Sequence, residues 1–210
     1  MSFILFDVGT NMGQNSLHQT ANQPQINTFA FEPVPALYNR LSVESSSFSD
    51  RYHLYPIALS DYDGESTFNI SNHNDNTHMG CSSLNEFKED IHPDWFKETI
   101  NFSFNEQVTV QVRTFRTWYQ ENNIKLPKID FFHCDTQGSD LKVLEGMGEY
   151  IHMIREGVVE CAKDENTKLY KNSHTIADVV DFLTARSYGI VSVDRNDLNG
   201  FEYNVRFKRQ

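Results

Sequence analysis

Asp7, Gly9, Asn11 and Gly13 fall within one short turn near the start of the chain, and Glu32 follows one β-α-β length later. Glycine at such a turn permits positive φ and lets a ligand approach the main chain without meeting a Cβ. An acid at the tip of the next strand can accept hydrogen bonds from both hydroxyls of a ribose. A dinucleotide would also need its pyrophosphate cradled, normally by G-x-G-x-x-G. Here the spacing is G-x-x-x-G, and Asn11 stands where the middle glycine would be. The pattern therefore disfavours NAD and fits a nucleoside without a pyrophosphate, of which S-adenosylmethionine is the commonest on this architecture. Asp135 and Glu160 are two further acids at predicted strand ends. Asp135 could act as a general base toward an acceptor, hold an ammonium group, or cap a turn. Glu160 could face the same crevice or cap the turn after its strand. Together the two could instead hold Mg²⁺, although no metal motif is matched and no metal is expected.

These residues need strands to carry them. Phe3-Ile4-Leu5-Phe6 reads as a strand buried on both faces, as in a parallel sheet. A helix is expected from Gln14 to about Ala21, a second strand over Ile26–Phe31 and a helix entered at Pro33 and Pro35. Tyr52 to Leu59 reads as a third strand, Ser66 to Ser71 as an added one, and Val108 to Arg113 alternates in the β manner. Thr114 should cap a helix running to Asn123. Ile129–Cys134 repeats the opening logic, with Asp135 at its end and a helix from Ser139 to Glu145. Gly157–Glu160 is a short buried strand, and His174–Ser187 an amphipathic helix with Ile176, Val179, Val180 and Leu183 on one side. Tyr188–Asp194 and Phe201–Phe207 should form a terminal hairpin around Asn199-Gly200. Strands alternating with helices and closing on a hairpin give an α/β sheet with an antiparallel edge. The final basic residues, Arg206, Lys208 and Arg209, read as a solvated edge strand.

Between the added strand and the alternating one lies a polar stretch, 72–107, expected as a lid or substrate loop within one domain spanning 1–210. Ser83 in it could touch substrate or be solvated; His73, His78 and His92 have no ligand spacing and read as surface residues. Trp95 and Phe96 could cover an acceptor, but anchoring the loop to the core is the better reading. Sixteen Phe and 39% hydrophobic residues indicate one large, ring-rich core. A net charge of −11 argues against nucleic acid and anionic membranes as partners. Three scattered cysteines argue against a disulfide framework or structural zinc, with Cys134 and Cys161 expected inside the core. No basic leader and no span-length apolar run is present, so the chain reads as soluble, intracellular and cytoplasmic.

Three segments together resemble the FkbM family of S-adenosylmethionine-dependent methyltransferases. Phe6-Asp7-Val8-Gly9-Thr10-Asn11-Met12-Gly13 is similar to its D-V-G-A-N-I-G opening, and Phe31-Glu32-Pro33-Val34-Pro35 to its F-E-P-x-P. The segment from Ile129 to Gly146 is similar to its I-D-x-L-K-x-D-x-E-G-x-E-x-x-V-L-x-G, with His133 and Gln137 in place of Lys and Glu. Ala58–Asp61 and Ser82–Leu84 echo two weaker signatures. The resemblance implies a Rossmann-like class I methyltransferase fold: a seven-stranded, mostly parallel sheet, an antiparallel C-terminal hairpin, and helices on both faces. It implies that Asp7, Gly9, Asn11 and Gly13 line the methionine end of the cofactor, with Thr10, Asn15 and Ser16 of the same turn. Glu32 would hold the ribose and Ala58, Leu59 and Asp61 would lie by the adenine. Family members often carry sequence before the first motif that covers the site, and here almost none precedes it.

Methyl transfer from a sulfonium is a direct displacement, so a protein chiefly aligns a lone pair with the S–CH₃ bond. The reading is O-methylation of a small molecule or glycan, with Asp135 first and Glu160 second as candidate bases. The alternative is a module that binds the cofactor without catalysis, which an ordered acceptor pocket would exclude.

Overall fold

The computed structural model describes residues 2–71, 80–96 and 103–210. The chain runs β1 (Phe3–Val8), α1 (Leu17–Asn22), β2 (Ile26–Phe31), α2 (Pro35–Glu44), β3 (Tyr52–Tyr55), β4 (Ile57–Leu59), β5 (Gly64–Ser71) and β6 (Phe104–Arg113). It continues with α3 (Phe115–Glu121), β7 (Ile129–Cys134), α4 (Asp140–Gly146), β8 (Ile154–Ala162), α5 (Ile176–Thr184), β9 (Tyr188–Arg195) and β10 (Glu202–Arg209). Seven strands form one sheet in the order β3-β2-β1-β7-β8-β10-β9. All neighbours as far as β8 are parallel, and β10 runs antiparallel to both β8 and β9. The order reverses between β1 and β7, and that switch point opens the crevice in which ligands of such sheets bind.

Alternation along the strands sorts side chains onto two unlike faces. On one, Ile4, Phe6 and Val8 of β1 join Phe29, Phe31, Phe132 and Val159 beneath Trp118, Leu144 and Leu183 of α3, α4 and α5. Phe6 stacks at 5.0 Å on Phe29, and Trp118 meets Phe6, Phe31 and Tyr55 edge-on. On the other face α1 docks through hydroxyls: Thr20 Oγ1 lies 2.7 Å from Thr28 Oγ1, and Ser16 Oγ lies 3.1 Å from the Tyr52 hydroxyl. Beyond α1 that face is an open groove across β7, β8 and β10, floored by His133, Val158 and Arg206.

Three expectations about the strands are corrected. The strand expected over Tyr52–Leu59 breaks at Pro56, which has no N–H to continue a ladder. β3 stays in the large sheet, while β4 leaves it and joins β5 and β6 in a three-stranded sheet, order β4-β6-β5. β6 begins at Phe104, inside the stretch read as loop, and pairs with β5 from Ser71 to Gly64. The C-terminal strand is not an edge: β10 lies between β8 and β9, and its Val205 and Phe207 are fully buried. The edge belongs to β9. Its apolar neighbours, not its basic residues, decide where β10 sits.

Thr114 caps α3 as expected, accepting from the Thr117 N–H at 3.0 Å. Cys134 and Cys161 are buried. Trp95 is buried and anchors its segment, donating from Nε1 to the Thr167 carbonyl at 3.0 Å and packing its ring against Phe201. His92 meets Phe201 edge-on and accepts from the Asp94 N–H, so it is not a free surface side chain. His73, His78 and the Phe96 side chain lie outside the described residues.

Candidate functional site

The loop after β1 meets the loop after β7 at the switch point. Gly9 has φ +78°, and a Cβ on it would lie 1.8 Å from the Asp135 carbonyl oxygen. Only glycine lets the two loops close to this distance. The Gly9 and Thr10 N–H groups both donate to the Phe31 carbonyl, which ties the first loop to the tip of β2. Asn11, at φ 52°, donates from its N–H to Glu32 Oε2 at 2.7 Å, and the Val34 N–H donates to Glu32 Oε1 at 2.8 Å. Each Glu32 oxygen thus has one main-chain donor and one lone pair left for a ligand. Burial pushes the Glu32 carboxyl up and the two N–H donors pull it back, with a net value of about 7.

These loops wall a cavity whose empty space, with the solvent at its mouth included, is about 620 Å³. Its lining includes the apolar side chains of Val34, Leu37, Ala58, Phe68 and Leu84, which pack in one cluster, and the polar residues Asn11, Asp135 and Thr136. Glu32 links the two groups through the Asn11 and Val34 N–H groups. Apolar lining, an acid with a free lone pair on each oxygen and polar lining together suit a nucleoside bearing an amino-acid tail.

The model of the methyltransferase FkbM domain matches residues 7–190. The chain belongs to the FkbM methyltransferase family. The 2-O-methyltransferase NoeI of Sinorhizobium fredii is 25% identical over 183 residues, covering 86% of this chain and 70% of NoeI. The methyltransferase sdnD of Sordaria araneosa is 28% identical over 169 residues, covering 74% of this chain and 65% of sdnD. The chain therefore spans about two thirds of the length of these relatives. Among solved structures, a precorrin-6y C5,15-methyltransferase from Geobacter metallireducens superposes with a TM-score of 0.49 at 11% identity, over 100% of this chain and 81% of that one. The class I architecture is carried by the strand order itself.

S-adenosylmethionine is the cofactor of this family fold, and the cavity fits it. Gly9 lets the Asp135 loop close against the first loop, both Glu32 oxygens keep a free lone pair, and the lining offers apolar side chains as well as polar ones. Of the residues expected around the cofactor, Gly9, Asn11, Glu32, Ala58, Leu59 and Asp135 line the cavity.

The others are placed elsewhere, each for a visible reason. Asp7 is fully buried behind the loop, with Oδ1 2.9 Å from His133 Nδ1. Burial pulls His133 down, but the Asp7 hydrogen bond and charge outweigh it, and its pKa is raised. Thr10 Oγ1 donates to the Asp7 carbonyl, shaping the turn from inside. Gly13, φ +80°, faces Leu17 and Leu41, so it serves helix packing. Ser16 is held by Tyr52, and Asn15 faces the open groove on the far sheet face. Asp61 is exposed and accepts from Ser60 Oγ. Ser83 is fully buried behind the wall, its Oγ donating to the Gln137 carbonyl at 2.6 Å, while its neighbour Ser82 lines the cavity.

Glu160 lies one step behind Asp135. Gln137 Nε2 donates to Asp135 Oδ1 at 2.7 Å and to Glu160 Oε2 at 2.9 Å. Burial and the adjacent Asp135, Glu202 and Asp140 hold the Glu160 carboxyl well above the ordinary range. Asp140, pushed to about 6 by burial and by Asp135, closes the loop by accepting from the Thr136 and Gly138 N–H groups. Sequence reasoning missed Gln14, Leu37, Phe68 and the bridging role of Gln137. A strand over Ser66 to Ser71 is expected from the sequence, but the placement of Phe68 at the cavity depends on the second sheet.

Proposed function

We propose that this chain transfers the methyl group of S-adenosylmethionine to a hydroxyl of a small molecule or glycan. The observation that carries the reading is Asp135: it lines the cavity, its Oδ1 accepts from Gln137, and the same amide reaches Glu160, whose carboxyl burial and acidic neighbours hold well above its ordinary range. When bound, the cofactor supplies an electrophilic methyl on a positively charged sulfur. Glu32 takes the ribose hydroxyls, and Val34, Leu37, Leu59 and Phe68 exclude water from the adenine. Asp135 receives the proton that a hydroxyl must lose to become a good nucleophile, a contribution of roughly 10²–10⁴-fold. An amine acceptor already has its lone pair when neutral and has less need of such a base. The relative NoeI is a 2-O-methyltransferase, which supports oxygen as the acceptor atom. The net charge of −11 supports an acceptor other than a polyanion.

Ser82 and Gly80 stand at the cavity wall, and we assign acceptor contact to their segment, the start of the described part of 72–107. The test is transfer of labelled methyl from S-adenosylmethionine to a panel of hydroxyl- and amine-bearing glycans and small molecules. We expect O-methyl products by NMR and a loss of at least about 10²-fold in Asp135→Asn. N-methyl products alone, or an undiminished Asp135→Asn, would overturn the assignment.

A further inference from the structure

Gln137 sits at the centre of more contacts than its place in a loop requires. Its φ of 55° is in the left-handed region, uncommon for a residue with a Cβ. The main chain is held there by Ser83, whose hydroxyl donates to the Gln137 carbonyl. The side chain is held at both ends. Tyr170 donates its hydroxyl to Gln137 Oε1 at 2.8 Å, and the amide nitrogen faces one oxygen each of Asp135 and Glu160. Carboxylate oxygens can only accept from it, so the amide orientation is fixed by the network.

The surroundings are acidic apart from Asn196, whose side-chain amide donates to Glu160 Oε1. Asp135 ends β7, Glu160 lies on β8, Glu202 on β10 and Asp140 on α4, with the Tyr170 and Cys81 side chains and Asp197 also acting on the group. None of the groups that act most strongly on Glu160 is a cation. Buried like charges this close cannot all ionise at once. A positive charge in the cavity next to them changes that balance, and a sulfonium carries one while the thioether left after methyl transfer does not.

We propose that Gln137 is a positioning residue that clamps Asp135 and Glu160 with one amide group and thereby sets how strongly the site prefers the sulfonium cofactor to its thioether product. Burial and its acidic neighbours favour the protonated form of Glu160, and when a rising pH ionises it the added negative charge draws the sulfonium more tightly. The hydrogen bond that Gln137 donates to Glu160 favours the ionised form, so losing it moves this transition to higher pH. The inference rests on Asp135 facing the reacting end of the cavity, but not on which acceptor is used.

The test is calorimetric titration of the full chain with S-adenosylmethionine and with S-adenosylhomocysteine from about pH 6 to about pH 8.5. The quantity read is the ratio of the two dissociation constants. Both ligands share the nucleoside, so the titration of Glu32 cancels in the ratio. In wild type the ratio should move toward the sulfonium by about tenfold over this range. In Gln137→Leu the rise should shift to higher pH, leaving less than about threefold within the range. Gln137→Glu, which installs the residue the family motif carries, should shift it the same way and guards against misfolding of the leucine variant. Ser83→Ala should weaken both ligands equally with the profile unmoved, as a purely structural tether would. A Gln137→Leu profile that overlays wild type, or a flat wild-type ratio, would overturn the proposal. N-methyl products alongside the expected ratio profile would sink the hydroxyl reading and leave this one standing.

Discussion

At the residue scale, Glu32 carries the sharpest consequence. Both its oxygens accept main-chain N–H groups and both retain a lone pair toward the cavity, so it should bind the ribose as a carboxylate. Its carboxyl is raised to about 7, so it holds a proton below that value and loses it above. Affinity for S-adenosylhomocysteine should therefore strengthen as pH rises through about 7, and the pH dependence should vanish in Glu32→Gln. Glu32→Ala should cost about 2–3 kcal/mol of binding, tens- to hundredfold in Kd. Calorimetry reads both, and an unaltered affinity in Glu32→Ala would remove the ribose assignment. Gly9→Ala makes a different prediction. Its Cβ has no space beside the Asp135 carbonyl, so the two loops must part. The variant should fold, by circular dichroism, yet fail to bind either ligand.

At the scale of elements, the site depends on how firmly β1 and β2 are held. Trp118 of α3 contacts Phe6, Phe29, Phe31 and Tyr55, rings that fix the strand ends from which Gly9 and Glu32 project. Trp118→Ala should cost about 3–5 kcal/mol of stability, read by urea denaturation. A loss under about 1 kcal/mol would mean that the ring cluster does not hold the strands. The elements also show what a linear pattern hides. β1, β2 and β7 are legible as short apolar runs and α5 as a one-sided apolar stripe, and both signals are local. They could not separate β3 from β4, because the apolar run continues through Pro56 while the ladder does not. Nor could they place β10 inside the sheet, since the basic residues that suggested an edge alternate with two buried neighbours, Val205 and Phe207.

At the scale of the whole molecule, several acids are buried together. Glu32 is raised to about 7, Glu202 to about 8 and Asp140 to about 6 by burial first, and Glu160 lies well above its usual value. An acid whose folded pKa exceeds its unfolded one contributes stability that is present below the unfolded value and lost as pH rises through the folded one. His133, also raised, acts in the same direction. The chain without cofactor should therefore be most stable near about pH 5 and lose on the order of a few kcal/mol by about pH 8.5. A thermal melting series checks this, and a Tm that climbs over that range would refute it. S-adenosylmethionine, by bringing a cation to the acids, should recover more Tm at the alkaline end than at the acidic end.

The sequence by itself determined the glycine loop, the acid at the tip of β2 and the acid at the tip of β7. Those features are set by main-chain geometry and burial within a few residues, so spacing alone carries them. Tertiary structure decided which members of each motif reach the cavity. Asp7, Thr10, Gly13, Ser16 and Ser83 belong to the same motifs as Gly9, Asn11 and Ser82, yet they hold the walls from behind. A turn presents only some of its residues to a ligand, and which ones depends on the neighbouring loop that closes against it. Only the folded chain brings Gln137 between two carboxylates drawn from different strands, because that contact depends on side chains meeting across the sheet and not on any spacing along the chain.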